Sequence, residues 1–263
     1  MKQINITSTQ DWEEKRARTI GGTIASAIMG ANKYMTREQA KALLLGEPCD
    51  KQDNAYMAYG RFEEPLIRAQ FAHDHPGLKV VEPPKENWLF VDEDKDYLTA
   101  TPDGLLFDEN GVLGVLEIKT RSTWNEGEAD DWAFNGIPQS YYIQTLHYCN
   151  VLNAKYVHYA IEFRIVQNGE VVKKILLYMH YSVKGKEKEL KFLKSELINF
   201  YEKEIKGEKN VRSKKDWYTS IKSIKQSSNA SDSRTSIKRR QSKNGSYSKR
   251  VNRSTTLSTS EWF

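Results

Sequence analysis

The chain has 263 residues, 38% of them hydrophobic, and carries 40 lysines and arginines against 35 aspartates and glutamates. That suffices for one domain with a real core and a tail, while no run approaches the roughly eighteen apolar residues of a membrane span. The two cysteines, Cys49 and Cys149, lie far apart with no Cys-x-x-Cys spacing, which argues against structural zinc or an iron–sulfur cluster.

The pattern of elements is readable in chain order. The polar start MKQINITSTQDWEEKRA has no apolar signal core, so a cytoplasmic protein is expected. Residues 8–18 read as a helix capped by Ser8 or Thr9, with Trp12 on its apolar face. The Gly21-Gly22 turn leads into a short helix over 23–31. Thr36 caps a third, over 37–46, stopped by Gly46 and Pro48. A long helix runs from Asn54 to Asp74; Phe62, Leu66 and Phe71 suit its core face, and Gly60 marks a bend or a close contact. Strands follow near 78–82, 87–92, 97–101, 104–108 and 112–120, and 121–136 reads as loop. Pro138 suits the first turn of a helix reaching Leu152. Strands 155–166 and 171–182 flank Asn168-Gly169, a strong hairpin signal, before a last helix over 184–206. This order predicts an α/β or α+β core, a central mixed sheet flanked by helices.

One stretch sets charges inside apolar sequence. Asp103 opens a strand, Asp108-Glu109-Asn110-Gly111 turns the chain, and the next strand carries Glu117-Ile118-Lys119 among Val112, Leu113, Val115 and Leu116. Side chains at i and i+2 of a strand share a face, about 7 Å apart, so Glu117 and Lys119 point together into an apolar face. Charges there need partners or a metal. Hard divalent cations take carboxylate and carbonyl oxygens. Asp103, Glu117 and the carbonyl of Ile118 therefore suit one or two magnesium (or manganese) ions for phosphodiester chemistry, with Lys119 to orient the attacking water and offset charge on phosphorus. A hairpin with a surface ion pair is the plainer alternative.

Pro102-Asp103 followed by Glu117-x-Lys119 resembles the PD-(D/E)xK nuclease motif. Three further blocks resemble the YqaJ-like viral recombinases, relatives of phage lambda exonuclease. Gly60-Arg61-Phe62-Glu63-Glu64-Pro65 is similar to the family's Gly-x-x-x-Glu-Pro segment, and Glu64 takes its helix-borne acidic position. Residues 18–26, from Arg18 through Gly21-Gly22 to Thr23 and Ser26, resemble the segment that holds the DNA end. Tyr141-Tyr142-Ile143-Gln144 resembles the helix whose glutamine faces the active site. The four blocks occur in the family's order across roughly residues 16–165. Thirteen residues separate Asp103 from Glu117, which lengthens the hairpin, and the spacing from Arg18 to the glycines departs from the family's.

The resemblance implies a restriction-endonuclease-like core and a 5′→3′ exonuclease resecting linear duplex DNA for phage-type recombination. It implies catalytic roles for Asp103, Glu117, Lys119, Glu64 and Gln144, and metal ligation by Asp103, Glu117, Ile118 and Glu64. It also implies a ring-shaped trimer and a single-strand annealing partner; no membrane is expected among the partners, from composition alone. An endonuclease of the same superfamily and a non-catalytic DNA-binding module are the alternatives. At Gly21-Gly22 the residues themselves permit an anion site at a helix N-terminus, with Arg18, Thr23 and Ser26 around a 5′-phosphate; a capped helix with a surface arginine reads equally well. The aromatic-rich run Trp124, Trp132, Phe134, Tyr141 and Tyr142 suits base stacking or, more commonly, core.

The net charge of +5 hides a split. Residues 209–263 hold 14 lysines and arginines against three acids, a net of +11, which leaves −6 on residues 1–208. The first 208 residues are read as the nuclease domain. The Ser/Lys-rich remainder cannot bury enough apolar surface to order itself and is read as a disordered DNA-contacting tail, ending in the apolar Trp262-Phe263.

Overall fold

The computed structural model describes residues 2–47, 54–85 and 87–207. The basic tail with Trp262-Phe263, together with Pro48 and Cys49, lies outside the described residues. A short strand β1 (Lys2–Ile4) precedes four helices: α1 (Thr9–Arg16), α2 (Gly22–Ile28), α3 (Arg37–Leu44) and α4 (Ala55–Asp74). Three of them start at side-chain caps. Ser8 Oγ accepts from Asp11 N at 3.1 Å, and Asn54 Oδ1 from Met57 N at 3.0 Å. Thr36 and Gln39 form a reciprocal capping box on α3.

Strands β2 (Lys79–Val81), β3 (Leu89–Val91), β4 (Thr99–Ala100), β5 (Gly104–Phe107) and β6 (Leu113–Thr123) follow. Helices α5 (Gly127–Asn135) and α6 (Gln139–Leu152) then lead to the long hairpin of β7 (Tyr156–Gln167) and β8 (Glu170–Ser182), and α7 (Glu187–Phe200) ends in a π-turn over Tyr201–Lys206. Asn168 (φ 53°) and Gly169 (φ 86°) take the paired left-handed conformations that a two-residue hairpin turn needs.

The main sheet has the order β2-β5-β6-β7-β8 and is antiparallel except where β6 runs parallel to β7. A parallel pair requires a crossover, which α5 and α6 supply. The sheet carries helices on both faces. Leu116 and Ile118 of β6 pack with Ile67 and Phe71 of α4, while Val115 joins the larger core containing Ile143, Leu146 and Leu197. A second sheet, β1-β3-β4, lies against α6.

Two expectations change, and one short strand is added. Residues 127–135 are helix, not loop: Ala129, Trp132 and Ala133 are buried at helical spacing. The first residues form a strand, pairing Lys2–Ile4 with Val91–Leu89. Phe62 and Leu66 are 70% and 56% exposed. The buried stripe of α4 is Glu63, Ile67, Arg68 and Phe71 instead. Its charged members are internal because each is paired: Glu63 Oε1 accepts from Lys174 Nζ at 2.6 Å and from Tyr59 OH at 2.7 Å.

Candidate active site

Asp103 sits on the last residue before β5, and its position is fixed from three sides. The carbonyl of Pro102 accepts from Trp88 Nε1 at 2.7 Å, and the carbonyl of Asp103 from Arg68 Nε at 2.7 Å. Its carboxylate Oδ2 accepts from the backbone N–H of Ile118 at 2.7 Å. That last bond ties Asp103 to the strand carrying Glu117 and Lys119. Because β5 stops pairing at Gly104–Leu116, the N–H of Ile118 takes a carboxylate in place of a ladder carbonyl.

Glu117 is 1% exposed. Its Oε1 accepts from Lys119 Nζ and, at 2.6 Å, from Gln144 Nε2. Its Oε2 is buried and has no hydrogen-bond partner. The Gln144 amide also reaches Tyr148 OH at 3.1 Å, and the Tyr141 ring lies 5.1 Å from Lys119 Nζ. On α4, Arg68 pairs with Glu64 as well as with the Asp103 carbonyl, so one buried guanidinium joins the helix acid to the motif.

The electrostatics follow from three carboxylates sharing two cations. Burial and then the charge of Asp103 raise Glu117 to about 8. The same two causes raise Glu64 to about 7 against the pull of Arg68 and Lys119. Asp103 is also raised by burial. Lys119 is held firmly charged by Glu117 and Asp103 despite its burial. The Lys119 and Glu117 shifts point opposite ways for their pair; both follow when one lysine serves several acids, and surplus negative charge remains.

Among the described residues no three carboxylate, imidazole or thiol groups are already gathered into a ligand sphere. Lys119 and Arg68 now occupy one oxygen each of Glu117 and Glu64. The fit to a hard cation rests on the surplus carboxylate charge and on the free Oε2 of Glu117.

Asp103, Glu117, Lys119, Gln144 and, through Arg68, Glu64 are thus brought together around Ile118. The second predicted group is arranged differently. Ser26 is 1% exposed; its hydroxyl donates to the Thr23 carbonyl at 2.8 Å and accepts from Asn32 Nδ2 at 3.0 Å, so it is internal. Arg18 is exposed and lies beside Gly46. The arginine of this segment whose charge reaches Asp103 is Arg16, stacked 4.6 Å from Trp12. Of the aromatic run, Trp132 is buried whereas Trp124 and Phe134 are 85% and 89% exposed. His147 has Nε2 2.9 Å from the carbonyls of both Ile20 and Thr99 and is pushed down to about 4 by burial, which suits a structural clamp.

Sequence reasoning missed Trp88, Arg68, Arg16 and the role of Gly22. A β-carbon on Gly22 would lie 2.4 Å from Gln144 Cγ and 2.9 Å from the Tyr148 ring. The glycine pair therefore lets α2 press against the glutamine side chain. Gly22→Ala is expected to shift Gln144 off Glu117 and to lower stability by about 1–3 kcal/mol. A variant that melts like the parent would refute the contact's importance.

The fold and the site have counterparts. The curated protein YqaJ of Bacillus subtilis (strain 168), which is uncharacterized, is 28% identical over 150 residues. That match covers 57% of this chain and 44% of YqaJ, less than half the relative's length. Among solved structures, the complex of LHK-Exo with dAMP aligns with TM-score 0.54 at 16% identity, covering 84% of this chain and 98% of that one. A structure of the same alkaline exonuclease, from Laribacter hongkongensis, gives 0.52 at 16% identity over the same shares. A phage related exonuclease from Haemophilus somnus 129PT gives 0.50 at 12% identity, covering 78% and 96%. The architecture is thus that of phage-type exonucleases with the PD-(D/E)xK-like fold. A model of the YqaJ-like viral recombinase domain matches residues 11–155. More than half of the sequence, including every element of the carboxylate site, falls within that match, and the chain belongs to the YqaJ-like viral recombinase domain family.

Proposed function

We propose that this chain is a magnesium-dependent deoxyribonuclease, a 5′→3′ exonuclease acting on the ends of linear duplex DNA. The observation that carries the reading is Glu117: a buried carboxylate with one oxygen unpartnered, beside Asp103 and a charged Lys119. A purely structural ion pair would leave no such free acceptor. The exonuclease fold neighbours support the reaction class, and LHK-Exo holds dAMP, a mononucleotide of the kind an exonuclease releases.

Asp103, Glu117, Glu64 and the Ile118 carbonyl would hold the ion. Magnesium, when bound, supplies Lewis acidity at the phosphate and makes water more acidic. Gln144 fixes Glu117 Oε1 in place, and Lys119 orients the attacking water and offsets charge growing on the phosphate oxygens. A trimer and an annealing partner belong to the same proposal, on family resemblance. So does a tail contact with duplex phosphates: the chain ending at residue 207 is expected to bind DNA with a shallower salt dependence than the full chain, and equal slopes would remove the tail from the interface.

The deciding experiment digests linear duplex labelled at either the 5′ or the 3′ end, with and without magnesium, beside a covalently closed circle. Mononucleotide released first from the 5′ label with the circle intact is the expected result. A nicked circle would make the protein an endonuclease, and no magnesium-dependent cleavage of any substrate would end the nuclease reading.

A further inference from the structure

We propose that Arg121 binds the substrate phosphate next to the one at Glu117 and Lys119, held in place by Glu128. The inference rests on the nuclease reading above and deepens it. Strand alternation puts Glu117, Lys119 and Arg121 in one row on one face of β6, each step about 7 Å. That step is close to the distance between successive phosphates along a nucleic-acid strand. A cation one step beyond the reacting centre is where the next phosphate of a bound strand would fall.

The geometry of Arg121 suits an anion. Its Nε donates to Glu128 Oε1 at 2.9 Å, and the side chain is 38% exposed where that of Glu128 is 18%. Nε is thereby used to fix the plane of the guanidinium. No acceptor among the described residues is recorded for its two terminal nitrogens, the fork that grips a phosphate in bidentate fashion. Glu128 is itself held firmly. It lies in the first turn of α5, which Ala129, Trp132 and Ala133 anchor in the core. The Trp132 ring packs edge-on against Tyr141, which also flanks Lys119.

A half-exposed ion pair on a surface adds little to stability, so stability alone gives no reason for this arrangement. A recognition role does. Residues 1–208 carry a net charge of −6, and local cations must draw a polyanion to a site rich in carboxylates. Arg121 escapes sequence reading because 121–136 reads as loop, which hides both the extension of β6 and the helix bearing Glu128.

The test measures binding of the full chain to linear duplex DNA in EDTA across a salt series, and steady-state cleavage with magnesium. Arg121→Ala is expected to weaken binding about tenfold at 0.1 M salt and to reduce the salt slope by about one. It is expected to raise KM about tenfold with kcat within about threefold, and to melt like the wild type. Arg121→Lys should recover the slope but not the full affinity. Lys155→Ala, which removes the same charge from an exposed side chain whose ammonium donates to Asn153 Oδ1, controls for net charge. If Arg121→Ala matches the Lys155→Ala control in affinity, slope and KM while the wild type cleaves, the Arg121 assignment fails alone. If the wild type binds duplex without ever cleaving and Arg121→Ala still reduces the slope, the assignment stands and the nuclease reading falls. A wild type that neither binds nor cleaves removes both.

Discussion

Lys119→Ala is expected to abolish cleavage, by about a thousandfold or more in kcat, while leaving a folded protein. Lys119 pairs with Glu117, and its charge is held against burial by Glu117 and Asp103. In the proposed reaction it meets the attacking water and the phosphate oxygens, where negative charge grows. Alanine supplies neither a donor nor a charge. The substitution removes one partner of a nearly buried pair, which in a rigid core is costly. Here the strain has an outlet. Burial already favours the neutral form of Glu117, so it can take up a proton when the lysine is gone. The expected signature is a modest fall in melting temperature, unchanged near-ultraviolet circular dichroism and no product from end-labelled duplex. Turnover at the wild-type rate would sink the assignment, whatever the fold does.

Much of this was legible in the sequence because motif and hydrophobic frame agree. The alternation around Glu117 and Lys119 fixed their shared face, and Asn168-Gly169 fixed the hairpin. The Tyr141–Gln144 block put Gln144 on the helix that reaches Glu117. On α4 the cause of what escaped is physical: polar residues stand where a hydrophobic stripe was sought. Glu63 and Arg68 occupy the inner face of α4 because Lys174, Tyr59, Glu64 and the Asp103 carbonyl satisfy them. Periodicity therefore picked Phe62 and Leu66, which face outward. At the 18–26 turn one hydroxyl reads differently in the structure. Spacing along the chain cannot say whether a hydroxyl is already spent, and that of Ser26 is spent on Thr23 and Asn32. In α5, Ala129, Trp132 and Ala133 carried a helical signal that the surrounding Asn, Asp and Gly obscured.

The second large effect concerns Glu117 itself. Glu117→Gln is expected to end cleavage and yet to raise the melting temperature of the metal-free protein at alkaline pH. The sign follows from linkage. Glu117 in the folded chain is raised from an ordinary 4.5 to about 8, so the folded state holds this proton more tightly than the unfolded state. Its contribution to stability is therefore complete below pH 4.5 and is lost as pH rises through about 8. Glutamine keeps an acceptor for Lys119 and Gln144 but carries no charge, so the variant lacks that loss. It forfeits part of the support for the lysine, which Asp103 still supplies, and the net gain near pH 8.5 is about 1–2 kcal/mol. At pH 5 the gap should close. Magnesium should reverse the order: it stabilises the wild type by mass action and leaves the variant nearly unmoved. Melting curves at pH 5 and 8.5, with EDTA and with magnesium, read all four cases. A variant less stable than the wild type at pH 8.5 in EDTA would mean that Glu117 is held there by its ion pair alone. Equal magnesium stabilisation of the two proteins would remove Glu117 from the ligand set.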